Sequence, residues 1–497
     1  MKSYLKCFTV LLLLMASLES YAQHLIINES PENYQLYARD SRDSAEVTIR
    51  GKLAEGSLVK GLSLKVLKDG IPYDKQNISL ERDAFSLITK IDAGLHQFRF
   101  ELYIQVQDQD SLYLVADSVV CGDAYIITGQ SNSHPSSTLS TYTNPYCRSF
   151  GVKTGYEPYI EDDRKVRWGR ASGNCPGLTN EVGGWFIKNP FGVGVWGMEL
   201  SRLIVEKYKV PVCVINGGSG SSSIEENMLY PERPSLETSF GRLAYRVDQA
   251  GFKDKIKAIF WHQGESNSND VEGYKTYFDN FDQLLADWRR VYTGLKKIYL
   301  FQLHPGCGRE FKRYGNELRE IQNQIAKRYE MIEIMSTLGV GGHDGCHFSY
   351  QGYIEFANRI LPLVSRDFYG EKTDNIITPP KLLTVRYSSD NEIILSFDQP
   401  IVAEEKRVVN GNTYFLKDQF FFKTESEADF IPVIVKSLLV EESRMMLKLE
   451  DAVQFNFITY LPSKFYRGTK EIYNGPWLFG SENGLGALSF HYRRIKQ

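Results

Sequence analysis

The stretch of sequence that decides the fold is residues 121–132, which read CGDAYIITGQSN. Its centre, residues 124–128, is a short apolar run with the length and composition of a buried β-strand. A polar segment, GQSN, follows it directly. From residue 121 onward, apolar runs alternate with long amphipathic stretches, which is the pattern of an α/β domain.

Four more apolar runs continue this series. The predicted strands are 124–128, 210–216, 256–261, 297–303 and 331–336, and the predicted helices are 195–208, 243–250, 274–292, 311–329 and 351–368. Five strands joined by crossover helices predict a five-stranded parallel, doubly wound sheet of the flavodoxin-like type. Its ligand site should lie at the carboxyl ends of the strands, where the N-termini of the helices point.

The regions on either side of this series predict small β-sandwiches. Residues 23–120 alternate short β-rich runs with turn residues, and similar runs return after Thr378-Pro379-Pro380. A chain of 497 residues is long enough for several domains. We expect an N-terminal sandwich at 23–120, an α/β domain at 121–371 and a C-terminal sandwich at 372–497. Within the α/β domain, the irregular segment 133–190 predicts a lid or binding loop, with a passive surface excursion as the alternative.

The first 22 residues have the pattern of a signal peptide. Lys2 and Lys6 precede an apolar core at 8–16, and Ser20-Tyr21-Ala22 offers a cleavage site. This predicts a secreted or periplasmic protein.

No later apolar run approaches the ~20 residues that span a bilayer. A net charge of −3 gives no electrostatic case for nucleic acid. The sequence leaves the oligomeric state open.

The cysteines permit disulfides in such a compartment but do not fix their pairing. Cys147 and Cys175 share one irregular segment and are the first candidate pair. Cys307 and Cys346 both follow predicted strands and are the second. Cys213 lies within a predicted strand, where a buried free thiol is expected. No Cys-x-x-Cys or His-x-x-x-His spacing supports a zinc site, and we expect no metal.

Polar clusters follow the predicted strands, and two of them offer reactive side chains. Ser131 follows the first strand, so it could be a nucleophile, although a serine there is also an ordinary N-cap. Asp344 stands three residues ahead of His347, just before the last predicted helix. At this spacing a carboxylate can bond to the Nδ1–H of the ring and leave Nε2 as a base. A surface pair without a chemical role is the alternative.

The other two clusters offer hydrogen-bond donors. Residues 216–223 read NGGSGSSS, and such glycines let main-chain N–H groups face an anion. A flexible turn is the alternative, and a phosphate loop lacks its Gly-Lys-Ser/Thr. Residues 261–267 read WHQGESN, a run that presents side-chain amides at the expected site or forms a plain βα loop.

In this order the four clusters resemble those of the SGNH hydrolases, and most closely the sialate O-acetylesterase and acetylxylan esterase-like branch. Members of that branch carry Gly-Asp-x-x-x-x-x-Gly-Gln-Ser-Asn, as residues 122–132 do, and Trp-x-Gln-Gly-Glu-Ser, as residues 261–266 do. The resemblance covers residues 121–370. It departs from the family at Ser133, Ser219 and Ser221, which leaves the triad intact but bears on the acyl pocket and the sugar specificity.

The resemblance implies a serine esterase that removes O-acetyl groups from carbohydrates through an acetyl-serine intermediate, without a cofactor. It makes Ser131 the nucleophile, His347 the base and Asp344 the residue that orients His347. It assigns the oxyanion hole to the N–H groups of Ser131 and Gly220 and the amide of Gln263, with Asn267 as a second-choice donor. The candidate substrate-binding residues are Gln130, Asn132, His134, Glu265 and Asn267.

Two alternatives stay open at this point. One is a carbohydrate-binding protein without activity, in which the β domains bind glycans. The other is a hydrolase of longer acyl or peptide substrates. The α/β-hydrolase fold is rejected, because Ser131 follows the first strand and the acid lies three residues from the histidine.

Overall fold

A computed structural model describes residues 24–80, 83–107, 109–134, 140–152, 166–173, 178–179, 186–187, 190–232, 235–307, 314–426, 430–431, 433–452 and 454–497. The signal peptide predicted for residues 1–22 lies outside these residues, as does much of the loop predicted at 133–190. None of the described helices is long and apolar enough to cross a membrane.

The α-helices are α1 (Val195–Tyr208), α2 (Ser239–Gln249), α3 (Val271–Lys275), α4 (Tyr277–Val291), α5 (Gly315–Arg328) and α6 (Tyr350–Tyr369). The strands of the first half of the chain are β1 (Leu25–Glu29), β2 (Leu36–Ala38), β3 (Ser44–Leu53), β4 (Val59–Lys68), β5 (Ile71–Ser79), β6 (Ala84–Asp92), β7 (Phe98–Val106), β8 (Gln109–Gly129), β9 (Cys147–Val152), β10 (Val166–Arg170), β11 (Leu178–Thr179), β12 (Phe186–Ile187) and β13 (Val212–Asn216). The later strands are β14 (Ile256–His262), β15 (Lys297–Gln302), β16 (Ile332–Ser336), β17 (Leu382–Ser389), β18 (Glu392–Phe397), β19 (Ile401–Ala403), β20 (Lys406–Val409), β21 (Asn412–Phe415), β22 (Phe420–Lys423), β23 (Val435–Glu441), β24 (Arg444–Leu449), β25 (Phe457–Tyr460), β26 (Leu478–Gly480) and β27 (Phe490–Arg494).

A mixed sheet forms the centre of the molecule, in the order β10-β9-β13-β8-β14-β15-β16. The neighbours from β13 to β16 run parallel, with Ile126 of β8 beside Ile215 of β13 and Ile259 of β14. The sheet is larger than the five parallel strands predicted, because β9 extends it beside β13 and β10 then pairs antiparallel with β9. These two strands come from the segment predicted to be an irregular loop. They cover an edge that β13 would otherwise expose.

Helices pack on both faces of this sheet, and alternation along each strand decides which side chain faces which layer. Ile126 belongs to a core with residues of α2, α4 and α5. Its neighbour Ile127 belongs to the opposite core, with residues of α1 and α6. Both side chains are fully buried. The domain is therefore a doubly wound α/β domain within a mixed sheet.

The N-terminal region is a pair of small sheets joined to the α/β domain by one strand. The first sheet has the order β1-β3-β6, and in the second β5, β4, β7 and β8 pair in turn. Strand β8 passes from this second sheet into the central sheet, so no linker separates the two regions at residue 120. Buried Asp123 pairs with Arg39 of the N-terminal region and Lys257 of the central sheet, which ties them together.

The C-terminal region is also built from β-strands. A four-stranded sheet has the order β17-β18-β24-β23, and a three-stranded sheet has the order β22-β25-β27; both contribute to one apolar core. Arg319 of α5 donates hydrogen bonds to Ser489 Oγ and to the carbonyl of Pro462. Gln302, at the end of β15, also bonds to Ser489. The C-terminal region thus packs directly against the α/β domain.

The disulfide pairing differs from the first prediction. Cys307 and Cys346 form a disulfide, as the second candidate pair predicted. Cys147 is a buried free thiol at the start of β9, so the predicted bond with Cys175 is wrong, and Cys175 itself lies outside the described residues. Cys213 is a buried free thiol within β13, as expected. The sequence spacing did not reveal that Cys147 enters a strand and points into the core.

Candidate active site

Ser131 lies in a tight turn at the carboxyl end of β8. Gly129 has a φ of 130°, and a Cβ atom there would stand 2.1 Å from the carbonyl oxygen of His262, so the turn requires glycine. The N–H of Gln130 donates to that same carbonyl at 3.0 Å. One 3₁₀ turn, Ser131–Ser133, then carries the serine to the edge of the sheet.

His347 comes to the same edge from the loop between β16 and α6. Its Nε2 lies 2.9 Å from Ser131 Oγ, a hydrogen bond between residues 216 positions apart in the sequence. The two side chains are partly exposed. The predicted convergence of these residues is therefore present in the structure.

Asp344 shapes the loop that carries His347. Its Oδ1 accepts hydrogen bonds from the main-chain N–H groups of Cys346, at 2.9 Å, and His347, at 2.7 Å. Desolvation raises the pKa of this carboxyl, but those N–H groups and the nearby imidazole lower it below its usual value. Within the described part of the chain, no hydrogen bond joins Asp344 to Nδ1 of the ring. The predicted contact with the ring is thus replaced by contacts with the main chain beside it.

Two further contacts hold this loop. The disulfide ties Cys346 to Cys307 in the loop after β15. Asn132, the residue after Ser131, donates from Nδ2 to the carbonyl of Cys346 at 3.0 Å. The turn that carries the serine and the loop that carries the histidine are therefore bonded to each other directly.

Several predicted substrate-binding residues lie instead in a buried network under the Ser131–His347 pair. Asn132 donates to Glu265 Oε1 at 2.7 Å, and Gln130 Oε1 accepts from the N–H groups of Gly264 and Ser266. Asn267 accepts from the N–H of Ile224 and donates to Glu225. Gln130, Asn132, Glu265 and Asn267 are all buried. Apart from Glu265 Oε2, which is buried without a hydrogen-bond partner among the described residues, the contacts given above are with protein groups. These four residues therefore support the site from within the protein rather than present groups at its surface.

Gln263 is also turned inward. Its side chain is fully buried, and its Nε2 donates to Asn267 Oδ1 at 2.7 Å and to the carbonyl of Ser222 at 3.1 Å. Both amide hydrogens are therefore used within the protein. The assignment of this amide to the oxyanion hole is wrong for this structure, and so is Asn267 as the second choice, because its Nδ2 is bound to Glu225.

The other two predicted oxyanion donors have open N–H groups. Gly220 lies in the turn after β13, and a Cβ atom added there would meet nothing within 4 Å. Neither the N–H of Ser131 nor that of Gly220 donates to an acceptor among the residues the structure describes.

His134, predicted to contact substrate from the lid, is buried below the glycine turn. A Cβ atom on Gly218 would lie 2.6 Å from Cδ2 of its ring. Neither ring nitrogen has a hydrogen-bond partner in the described part of the chain. Burial, reinforced by the nearby His347, lowers its pKa to about 4, so it is neutral near pH 7. In this structure it is therefore not a surface contact for substrate.

Sequence reasoning missed the residues that support this network from the neighbouring elements. Tyr353 of α6 donates to Asn132 Oδ1 at 2.8 Å, and Trp196 of α1 donates to the Asn132 carbonyl at 3.0 Å. Asn216, at the end of β13, donates to the carbonyl of Ser133. Each belongs to a predicted helix or strand, but the pattern alone does not distinguish these side chains from ordinary core residues.

Among the described residues, no group of three or more His, Cys, Asp or Glu side chains is arranged to hold a metal ion.

We expect the protein to lose stability as the pH falls from about 6.5 toward 4.5. Burial is the largest cause that lowers the pKa of His134, of His304 and of His491, the last to about 3. An unfolded histidine has a pKa near 6.5, so below that pH the unfolded chain binds more protons than the folded one. The free energy of unfolding should then fall by about 1.4 kcal/mol per pH unit for each such histidine. Thermal unfolding between pH 7.5 and 4.5 measures this as a falling Tm.

The matched control is His134→Asn, which removes one of these histidines and should make the fall of the Tm with decreasing pH less steep. A Tm that stays constant or rises across this window would contradict the expectation.

The α/β sheet and the Ser131–His347 pair at its carboxyl edge form the kind of site that serine hydrolases use. Residues 121–364 match the sequence model of the family described as "Carbohydrate esterase, sialic acid-specific acetylesterase". This segment belongs to that family, and the protein is a carboxylic ester hydrolase of the carbohydrate acetylesterase kind. The predicted family and enzyme class are thereby confirmed.

Among the solved structures similar to this chain, one supports the fold. A carbohydrate acetylesterase from Xanthomonas citri has a TM-score of 0.58 and 15% identity, and the match covers 94% of this chain and 99% of that chain. At this identity the likeness shows the fold alone, and it extends over the flanking β regions. A protein from Arabidopsis thaliana has a TM-score of 0.39 and 17% identity, covering 50% of this chain and 99% of that one. A family two carbohydrate esterase from Cellvibrio japonicus has a TM-score of 0.27 and 10% identity, covering 69% and 95%. No curated protein matches the chain.

Proposed function

We propose that the protein is a secreted serine esterase that removes O-acetyl groups from carbohydrates through an acetyl-serine intermediate. The observation that carries this proposal is the 2.9 Å hydrogen bond between Ser131 Oγ and His347 Nε2, at the sheet edge where two main-chain N–H groups are open. A hydroxyl beside an imidazole is the arrangement that activates a serine for attack on an ester. Secretion rests on the signal-peptide pattern of residues 1–22.

In the first half of the reaction, His347 Nε2 takes the proton of Ser131 as its oxygen bonds to the acetyl carbonyl carbon. The carbonyl electrons move onto its oxygen, and the N–H groups of Ser131 and Gly220 stabilise that negative charge. The bond between the acetyl carbon and the sugar oxygen then breaks, and His347 gives its proton to the departing sugar oxygen. The products are the free hydroxyl of the sugar and an acetyl ester on Ser131.

In the second half, water attacks the acetyl ester. His347 takes a proton from the water while its oxygen bonds to the acetyl carbon, and the same N–H groups stabilise the second tetrahedral intermediate. The bond to Ser131 breaks, the serine recovers its proton from His347, and acetate leaves. Asp344 supports both steps through the main chain of His347 and through its negative charge near the ring.

A proline at position 220 tests the oxyanion hole. Gly220→Pro removes the N–H, and loss of one such donor typically lowers kcat by ~10²–10³-fold. The measurement is the kcat for acetate release. Gly220→Ala is the matched control, because it keeps the N–H and its Cβ enters open space, so it should be far more active than the proline variant. Equal activity of the two variants would remove Gly220 from the oxyanion hole.

Acetate release from a panel of substrates tests the proposed function. The panel contains acetylated xylan, pectin, glucomannan and O-acetylated sialic acid, with p-nitrophenyl acetate and octanoate as small esters. We expect release from at least one acetylated carbohydrate and a preference for acetyl over octanoyl. Turnover of the octanoyl ester alone would replace the proposal with a hydrolase of longer acyl chains, and glycan binding without any turnover would replace it with a binding protein.

A further inference from the structure

A row of aromatic side chains begins beside the active-site edge and continues onto the C-terminal region. We call it the aromatic stripe; its members are Tyr274, Tyr314, Tyr492, Phe430 and Phe457. None of them is fully buried, and Tyr492 is 38% exposed. The mechanism above uses none of them.

The stripe starts at the edge of the sheet that carries Ser131. Tyr274 lies in α3, after β14, and Tyr314 directly precedes α5, after β15, so both follow strands at their carboxyl ends. Their rings stack with centroids 4.8 Å apart. The N–H of Tyr314 donates to the carbonyl of Ser268 at 2.8 Å, and the nearby Ser266 Oγ donates to Ser221, the residue after Gly220. Residues 266–268 therefore link Tyr314, at this end of the stripe, to the turn that carries Gly220.

The second half of the stripe belongs to the C-terminal region. The Tyr492 ring lies 5.6 Å from Phe430 and 6.0 Å from Phe457, measured between centroids. His491 Nε2 lies 3.9 Å from Glu317, one turn along α5 from Tyr314, and this contact brings the two halves together. The pKa of the Tyr274 hydroxyl is raised above its usual value, first by burial and then by Glu317, Tyr314 and Tyr492. The effect of Tyr492 on Tyr274 agrees with the two halves of the stripe lying close together.

The backbone holds Tyr492 in an unusual conformation. Its φ is 47°, in the left-handed region that bulky residues rarely adopt, within β27 where the pairing with β25 is irregular. Such backbone strain concentrates at functional sites. Tyr492 is exposed at this position, beside the half-buried rings of Phe430 and Phe457.

We propose that the aromatic stripe is a binding surface for successive sugar rings of a polymeric, neutral acetylated glycan, beside the Ser131–His347 pair. This inference rests on the proposed function. The C–H face of a sugar ring carries slight positive charge and packs on the negative face of an aromatic ring, while its hydroxyls bond to polar neighbours. The charges at the stripe are of both signs. Lys423 Nζ lies over the Tyr492 ring, 4.8 Å from its centroid. The Arg494 guanidinium lies over the Phe457 ring, 5.0 Å from its centroid, and pairs with Glu425. That balance favours a neutral glycan over a strongly acidic one.

Binding in the Ser131→Ala background tests this proposal, because the substrate then stays intact. The probes are acetylated glucomannan and acetylated xylan as polymers and acetylated glucose as the single sugar, measured by affinity electrophoresis and calorimetry. We expect a polymer to bind more tightly than the single sugar. Tyr492→Ala and Tyr274→Ala should each weaken polymer binding about tenfold, the loss of roughly one aromatic contact. Tyr492→Phe keeps the ring and should bind within about twofold.

The matched control is Phe415→Ala, which removes a ring that is 41% exposed in the same C-terminal region but outside the stripe. It should leave binding unchanged, and unfolding curves show whether each variant folds. The proposal is overturned if neither polymer binds, if the tyrosine variants bind like the control, or if their effect is instead to dissociate a dimer, which would assign the stripe to a second copy of the chain. Acetate release from p-nitrophenyl acetate with Ser131 intact reports on the proposed function separately.

Discussion

Ser131→Ala should abolish acetate release while leaving the fold intact. The serine oxygen forms the covalent bond in the proposed reaction, and removal of a nucleophile of this kind lowers kcat by about 10⁴-fold or more. Among the described residues the hydroxyl bonds only to His347 Nε2, and it lies partly exposed, so its loss should change stability little. The measurements are acetate release under saturating substrate and the Tm of the same preparation.

Ser133→Ala is the matched control, two residues further along the same turn. The Ser133 hydroxyl donates to the carbonyl of Gln130 at 2.6 Å and is buried, so its removal should lower the Tm but keep most of the activity. Full activity of Ser131→Ala would exclude Ser131 as the nucleophile. Equal losses in both variants would show that the turn, rather than the hydroxyl, is what activity requires.

The helices and strands of the α/β domain could be predicted because each depends on the pattern of apolar residues within its own segment. The predicted helix 195–208 coincides with α1, Val195–Tyr208, and the predicted strand 256–261 ends one residue short of β14, Ile256–His262. An apolar run of five to seven residues between polar turns is consistent with a buried strand, and its short length favours a strand over a helix. The predicted helix 274–292 is instead divided into α3 and α4 around Thr276, because the apolar period does not mark the point where one short helix ends and the next begins.

The extent of the sheet depends on tertiary contacts that no local pattern encodes. Strands β9 and β10 lie in a segment rich in glycine and proline, and they become strands by pairing with the exposed edge of β13 and with each other. The same limit applies to the junction at residue 120. The sequence marks a change of rhythm there, but the structure has one strand, β8, with partners in two sheets.

In the active site, too, the sequence located the residues but did not give the directions of their side chains. Motif spacing located Ser131 and His347, because the order of strands brings their carboxyl ends to one edge. It did not give the direction of each side chain: Gln263 has the right type for an oxyanion donor, but its amide points into the protein toward Asn267 and Ser222. Likewise, Asp344 has the right spacing to bond to the imidazole ring, yet its carboxylate is taken by two main-chain N–H groups.

His347→Gln should reduce activity as severely as the loss of Ser131, by about 10⁴-fold. Nε2 is the proton acceptor in the attack and the donor to the departing sugar oxygen, and glutamine offers neither function. The disulfide at Cys346 and the hydrogen bonds from Asn132 and to Asp344 hold the loop without the ring, so the variant should fold. The measurements are kcat for acetate release and the Tm.

The double variant Ser131→Ala, His347→Gln decides whether the two residues act as one unit. If the imidazole works only through the serine, its removal from the Ser131→Ala protein has nothing left to impair, and the double variant should be as active as Ser131→Ala alone. His96→Gln is the matched control, because His96 is a partly exposed histidine paired with Asp69 in the N-terminal region, remote in sequence from both clusters. It should keep its activity. Losses that multiply in the double variant would mean that His347 acts on the substrate independently of Ser131, and the proposed proton transfer between them would be wrong.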